Sequence, residues 1–157
     1  MSATFEELFA LLGTLAERLD QLRELAQEQL EAVRHDDLMG LNEVLNREQA
    51  AALEFRGLEQ KREKLLSELS LGGSSLSSLP LRCPPEKREA AERCVAQVKT
   101  AYGAYRKSAD EARGLLEHEI RDIDAILGAR AAEIPGPGYS QESAASIPPK
   151  MKTDFRA

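Results

Sequence analysis

Nine positions near the start of the chain, Phe5, Leu8, Leu12, Leu15, Leu19, Leu22, Ala26, Gln29 and Val33, are separated by alternating steps of three and four residues. On an α-helix that rhythm puts all of them on one side, a heptad seam that packs lengthwise against other helices. Phe9, Leu11, Leu25 and Leu30 lie beside the seam and widen it, which suits a bundle better than a two-stranded coil. Thr4, with Glu7 three residues later, supplies a capping box at the start. Gln29 is the only polar interruption.

The rest of the chain is constrained by this first helix, expected over about residues 4–34. His35-Asp36-Asp37 breaks the rhythm, and either aspartate can cap the next helix. That second helix is expected over 38–70, with a seam through Leu38, Leu41, Leu45, Glu48, Ala52, Phe55, Glu59, Arg62, Leu66 and Leu69. So short a connection makes helices one and two antiparallel neighbours. Glu48, Glu59 and Arg62 fall on or beside the core face. They read best as flanking a narrower seam through Leu58 and Leu65, the alternative being a Glu59–Arg62 pair one turn apart.

Residues 71–85 form the long connection. Gly72 or Gly73 can end the second helix in a left-handed cap, and Pro85 suits the first turn of the next. The loop is either mobile or packs Leu76, Leu79 and Leu81 over the bundle end. The third helix, 86–131, is the longest, with a seam through Cys94, Val98, Tyr102, Tyr105, Ala109, Ala112, Leu116, Ile120, Ile123 and Leu127. At about 1.5 Å per residue it outruns its partners, and so must overhang them or bend at Gly103 or Gly114. Leu115, Ile120 and Ile126 broaden its later apolar face beyond what two shorter helices need, which suggests a partner. The expected fold is therefore all-α, an elongated antiparallel bundle of three long helices over residues 1–132 with the third longest. Residues 133–157, rich in Pro, Gly, Ser and Ala and without a period, are expected to form a flexible, irregular tail.

Charge narrows the partners. The chain carries a formal net charge of -6. In the tail, Lys150, Lys152 and Arg156 balance Glu133, Glu142 and Asp154, so the whole excess belongs to the helical body. An acidic body is unsuited to phosphate backbones or anionic membranes, so neither nucleic acid nor membrane insertion is expected. Glu6 and Glu7 stand where a signal peptide would be basic and then apolar. Cys83 and Cys94 lack zinc or redox spacing and read as reduced thiols, Cys94 as a small core residue. A cytoplasmic protein is expected.

Catalytic patterns are missing. His35 and His118 sit in charged, polar surroundings and read as solvated. Neither has a Glu three positions before it, as a carboxylate-bridged metal pair in a bundle would require, since Ala32 and Leu115 occupy those places. No phosphate loop or nucleophile motif is present, so no enzyme, metal site or cofactor is expected. A long amphipathic bundle with one overlong helix fits a binding protein that receives an amphipathic segment in a groove.

Leu58-Glu59-Gln60-Lys61-Arg62-Glu63-Lys64-Leu65-Leu66 resembles the L-E-x-x-R-x-x-L-L run of the FlgN family of flagellar export chaperones. It comes after a leucine-heptad helix and an Asp break, as in that family. Ala112-Arg113-Gly114-Leu115-Leu116 is similar to the family's third-helix N-x-x-L-L, with Ala112 where Asn is usual. The resemblance spans roughly residues 8–128. It implies a cytoplasmic, non-catalytic chaperone of the flagellar type III export system. Its clients would be hook-associated proteins of the hook–filament junction, held by their C-terminal amphipathic helices. Ala112, Leu115, Leu116, Ile120 and Ile123 are the candidate client surface. The resemblance also implies a tail tyrosine that engages the cytoplasmic domain of the export gate. Tyr139 is the candidate, although its Gly and Pro residues precede it rather than come after, and Phe155 is the substitute. The competing reading is a structural coiled-coil protein that self-associates through the same heptads, a homodimer or larger, without a client.

Overall fold

The computed structural model describes residues 3–131, and these form four helices: α1 (Phe5–Arg34), α2 (Leu38–Glu68), α3 (Leu79–Arg82) and α4 (Pro85–Ala131). α1 starts where the capping box places it: the Thr4 hydroxyl accepts from the Glu7 amide at 3.1 Å, and Glu6 and Glu7 lie in the first turn.

The two aspartates at the first turn divide its work. Asp36 takes the left-handed conformation, φ 52°, that reverses the chain after α1. The amides of Asp36 and Asp37 then close back on Val33 and Ala32, at 3.2 and 2.9 Å, satisfying carbonyls that the helix end would leave unpaired. Asp37 caps α2, accepting from the Gly40 amide at 2.9 Å. A Cβ at Gly40 would meet the Asp37 carboxylate, so a larger residue there would push the capping side chain aside.

The end of α2 departs from the sequence expectation. The left-handed residue that ends the helix is Ser70, φ 62°, with Leu71 donating to Leu66 across it at 2.7 Å; Gly73 is left-handed too, φ 79°, but further along the connection. The helix stops at Glu68, short of residue 70, because this turn lets Leu71 fold back into the core. The connection to α4 also carries the unexpected short helix α3. Leu76 and Leu79 are buried against the bundle, the second of the two alternatives for this loop, but Leu81 is exposed, pointing away from the face that Leu79 packs. Arg88 of α4 fastens α3 by donating from Nε to the Pro80 carbonyl at 3.2 Å.

α1 is the central element. α2 runs antiparallel to it, as the Arg18–Glu54 and Glu28–Arg47 ion pairs at 3.0 Å show. α4 runs parallel to it, with Lys87 beside Glu6 and Cys94 beside Phe9. α1 touches both neighbours, while no Cα of α2 comes within 8 Å of one in α4. Leu8, Leu12, Leu15 and Leu19 are fully enclosed, and Leu22 nearly so. Gln29, though polar, is buried with them. α4, 47 residues long, is a single continuous helix. With Glu6 level with Lys87 and Gln29 level with Arg113, its last dozen or so residues, about 20 Å, project beyond the α1–α2 turn.

On α2 the expected seam holds at Glu48, Phe55, Arg62 and Leu66, but Leu38 lies in solvent. Glu59 and Arg62 are not flanking residues. Both are largely buried and pair at 3.3 Å, the arrangement that the alternative reading described. Cys83 and Cys94 are free thiols, and burial raises both above the usual thiol range.

This burial pattern sets the expected mutational response. Leu15→Ala should destabilise the chain by about 3 kcal/mol, because it opens a cavity in the enclosed seam. Ile126→Ala, on the projecting end of α4, should change stability by less than about 0.5 kcal/mol. Urea unfolding followed by far-ultraviolet circular dichroism measures both, and similar losses would contradict α1's central role.

Candidate functional site

Because α2 and α4 share α1 but do not close on each other, a groove runs between them toward the end where α4 projects. Its inner part is a small cleft, partly open to solvent, lined by Leu22, Ala26, Gln29, Glu48, Tyr105, Ala109 and Arg113. Further out, Ala32 and Val33 of α1 are buried, Leu41 and Leu45 of α2 are half-buried, and so are Leu115, Leu116 and Ile120 of α4. The strip continues along α4 through Ile123 (48 % exposed), Ile126 (59 %) and Leu127. At the matching end of α2, Leu38 and Met39 are 77 % and 87 % exposed. Single exposed aliphatics are ordinary, but these residues extend two seams that are buried further along the bundle.

The five sequence-derived surface residues fall in three different environments. Ala112 is 1 % exposed and belongs to the bundle interior, where its small side chain lets α4 approach α1. Leu115, Leu116 and Ile120 are half-buried and Ile123 is exposed. Tyr139 and Phe155 lie outside the described residues. His35 and His118 are exposed and sit beside Glu31 and Asp122, one turn away on their own helices.

The polar floor of the cleft was missed in the sequence. Glu48 is only 4 % exposed, and burial pushes its carboxyl up to about 7. With its amide nitrogen turned toward Glu48, Gln29 donates to both carboxylate oxygens, at 2.8 and 3.2 Å. The Tyr105 hydroxyl is pushed up to about 12, by burial first and by the neighbouring Glu48 charge second. The signal for this cluster was present: Gln29 and Glu48 each interrupt an apolar seam, and an antiparallel hairpin brings those interruptions together. Deeper in the bundle, Glu59 is also raised by burial, with Arg62 opposing the shift. Both Glu59 carboxylate oxygens and the Arg62 Nε lack a hydrogen-bond partner.

Among the described residues no cluster of His, Cys, Asp and Glu is arranged to hold a metal ion, and no helix is long and apolar enough to cross a membrane. The fold and the groove together define an all-helical protein whose apolar seam is left unfilled at one end. The family model described as FlgN protein matches residues 1–129, so the chain belongs to the FlgN family of flagellar export chaperones. No curated protein and no solved structure matches the chain.

The raised Glu48 carboxyl makes stability depend on pH in a definite direction. A carboxyl that titrates higher when folded stabilises the protein fully only below its unfolded value, about 4.5, and that contribution disappears as pH rises through about 7. Glu48→Gln keeps an amide partner for Gln29 and removes the ionisation. At pH 8 it should raise the thermal midpoint by about 3–6 °C, roughly 1–2 kcal/mol, with little difference at pH 4. Calorimetric melts of both proteins across that range test this, and a pH-independent difference would count against the assignment.

Proposed function

We propose that this FlgN-family chaperone acts in the cytoplasm on hook-associated proteins of the hook–filament junction. It holds their C-terminal amphipathic helices in the groove between α2 and α4 and along the projecting end of α4. The observation that carries this reading is the apolar strip through Leu116, Ile120, Ile123, Ile126 and Leu127, which outlasts the helices that would bury it. A client helix laid there completes the bundle as a fourth element and hides an apolar face that would otherwise assemble early or aggregate. Half-burial suits the task, since the client has to be given up at the export gate. On this reading Ala112 supports the surface from behind while Leu115, Leu116, Ile120 and Ile123 meet the client. Tyr139, which comes after Pro135 and Pro137 in the sequence, docks on the cytoplasmic domain of the export gate.

Titration of the chain with a C-terminal peptide of a junction protein, with mass followed by light scattering, separates this reading from self-association. A one-to-one complex is expected; a stable higher oligomer that ignores the peptide would favour the structural coiled coil. Leu116→Asp should weaken peptide binding at least tenfold, about 1.4 kcal/mol. Ile123→Asp should do the same with the fold undisturbed, because its side chain is already in solvent. Unchanged affinity in both variants removes this face from the groove. Tyr139→Ala should leave peptide binding intact and reduce docking to the export gate; equal loss of both would place the tail in the client groove.

A further inference from the structure

A groove that only shielded an apolar helix would have no use for a buried carboxylate, yet Glu48 forms part of the floor of its inner cleft. Its hydrogen-bond donor is neutral, the Gln29 amide. Arg113, exposed at the rim, is the cation of the chain that shares the cleft, and it makes no ion pair with Glu48 among the described residues. The remaining walls are apolar or aromatic: Leu22 and Ala26 from α1, Ala109 and the Tyr105 ring from α4.

Lysine and arginine carry a charged tip on a long aliphatic stem. The cleft is small, and Leu22 and Ala26 are only 2 % exposed, so the charged tip would enter beside Glu48 while the stem lies outside, along the Ala109 and Tyr105 side of the opening. The neutral amide contact would then be joined by a charge-assisted hydrogen bond, the stronger kind, in a setting where little water competes. A purely apolar side chain placed there would bury the carboxylate without matching it, which is costly. The -6 charge of the chain also favours a basic visitor.

We propose that the cleft is a specificity pocket for one basic side chain, Lys or Arg, carried by the amphipathic segment that the groove receives. This rests on the client-binding reading above and adds to it a chemical rule for the client: an aliphatic stripe interrupted by a single cation. The pocket lies inward of the Leu116–Ile123 surface, so the basic residue marks the end of the client helix that enters deepest. Charge at that position fixes the register, and the apolar strip alone would let the helix slide by a turn. The carboxylate also selects among partners, because a stripe with Asp or Glu at that position would place like charges together.

The test uses the full chain and the C-terminal peptide of a hook–filament junction protein, with affinity measured by titration calorimetry. Glu48→Gln should bind the peptide at least tenfold more weakly than the parent. The same variant is expected to be the more stable of the two at pH 8, so the loss cannot be assigned to unfolding. In a set of peptides with each Lys or Arg replaced in turn by Met, one replacement should weaken binding to the parent and not to Glu48→Gln. Equal affinity of parent and Glu48→Gln, or fully additive effects at every basic position, overturns the pocket and leaves the chaperone reading standing. No binding of the peptide by the parent overturns the client reading itself.

Discussion

Everything else in the molecule depends on α1 being buried from two sides. Leu8, Leu12, Leu15, Leu19 and Leu22 are almost entirely removed from water. At roughly 2 kcal/mol for each enclosed leucine, these five contribute on the order of 10 kcal/mol. That is comparable with the whole net stability of an ordinary domain. α2 and α4 each pack on this seam, and their own backbones stay apart. The arrangement uses α1 completely and the other two helices partly, which is why the unfilled surface lies between α2 and α4.

The polar residues of the interior arise from the same asymmetry. Glu48, Glu59 and Arg62 stand on the α2 seam, where a closed bundle would place aliphatic side chains. A buried ion pair adds little net stability, since desolvation offsets much of its attraction, and Glu59–Arg62 leaves three polar atoms without a hydrogen bond. The pair costs most when broken, so it disfavours any alternative alignment of α2 that exposes one partner and buries the other. The L-E-x-x-R-x-x-L-L run is thus a piece of bundle interior. Leu66 and Arg62 are buried, Leu58 and Leu65 pack beside them, and none of it reaches the projecting strip on α4.

The helices were legible in the sequence because a 3.5-residue rhythm and its interruptions are local properties. Thr4 and the His35-Asp36-Asp37 break bound α1 close to where they should. The end of α2 was less legible: a serine took the left-handed position because Leu71 had a core site to occupy, a tertiary demand that overrides the preference for glycine. Depth along a seam was not legible either. Leu38 and Leu66 have the same pattern on paper, but one stands where the bundle has ended and the other where all three helices overlap. The same applies to the site. Ala112 and Ile123 share a stripe, and only the length of α1 decides that the first is interior and the second exposed. The Glu48 cleft was hidden for another reason: polar residues on a seam read as flanking when each helix is considered alone.

A bundle with an open seam faces a standing risk, because the surface proposed to receive a client can also close on itself or on a second copy. Two features of this chain act against that. The cleft side chains Tyr105 and Arg113 are bulky, and closure over Glu48 would bury its carboxylate more deeply. The strip on α4 is flanked along its length by Glu117, Glu119, Asp122 and Asp124, opposed by Arg113 and Arg121. Two such faces brought together as copies would set an acidic excess against an acidic excess, with further cost wherever charges were desolvated. A client segment that carries its own cation meets neither penalty. On the proposed reading, the polar residues that reduce the stability of the free bundle are the ones that keep its groove available.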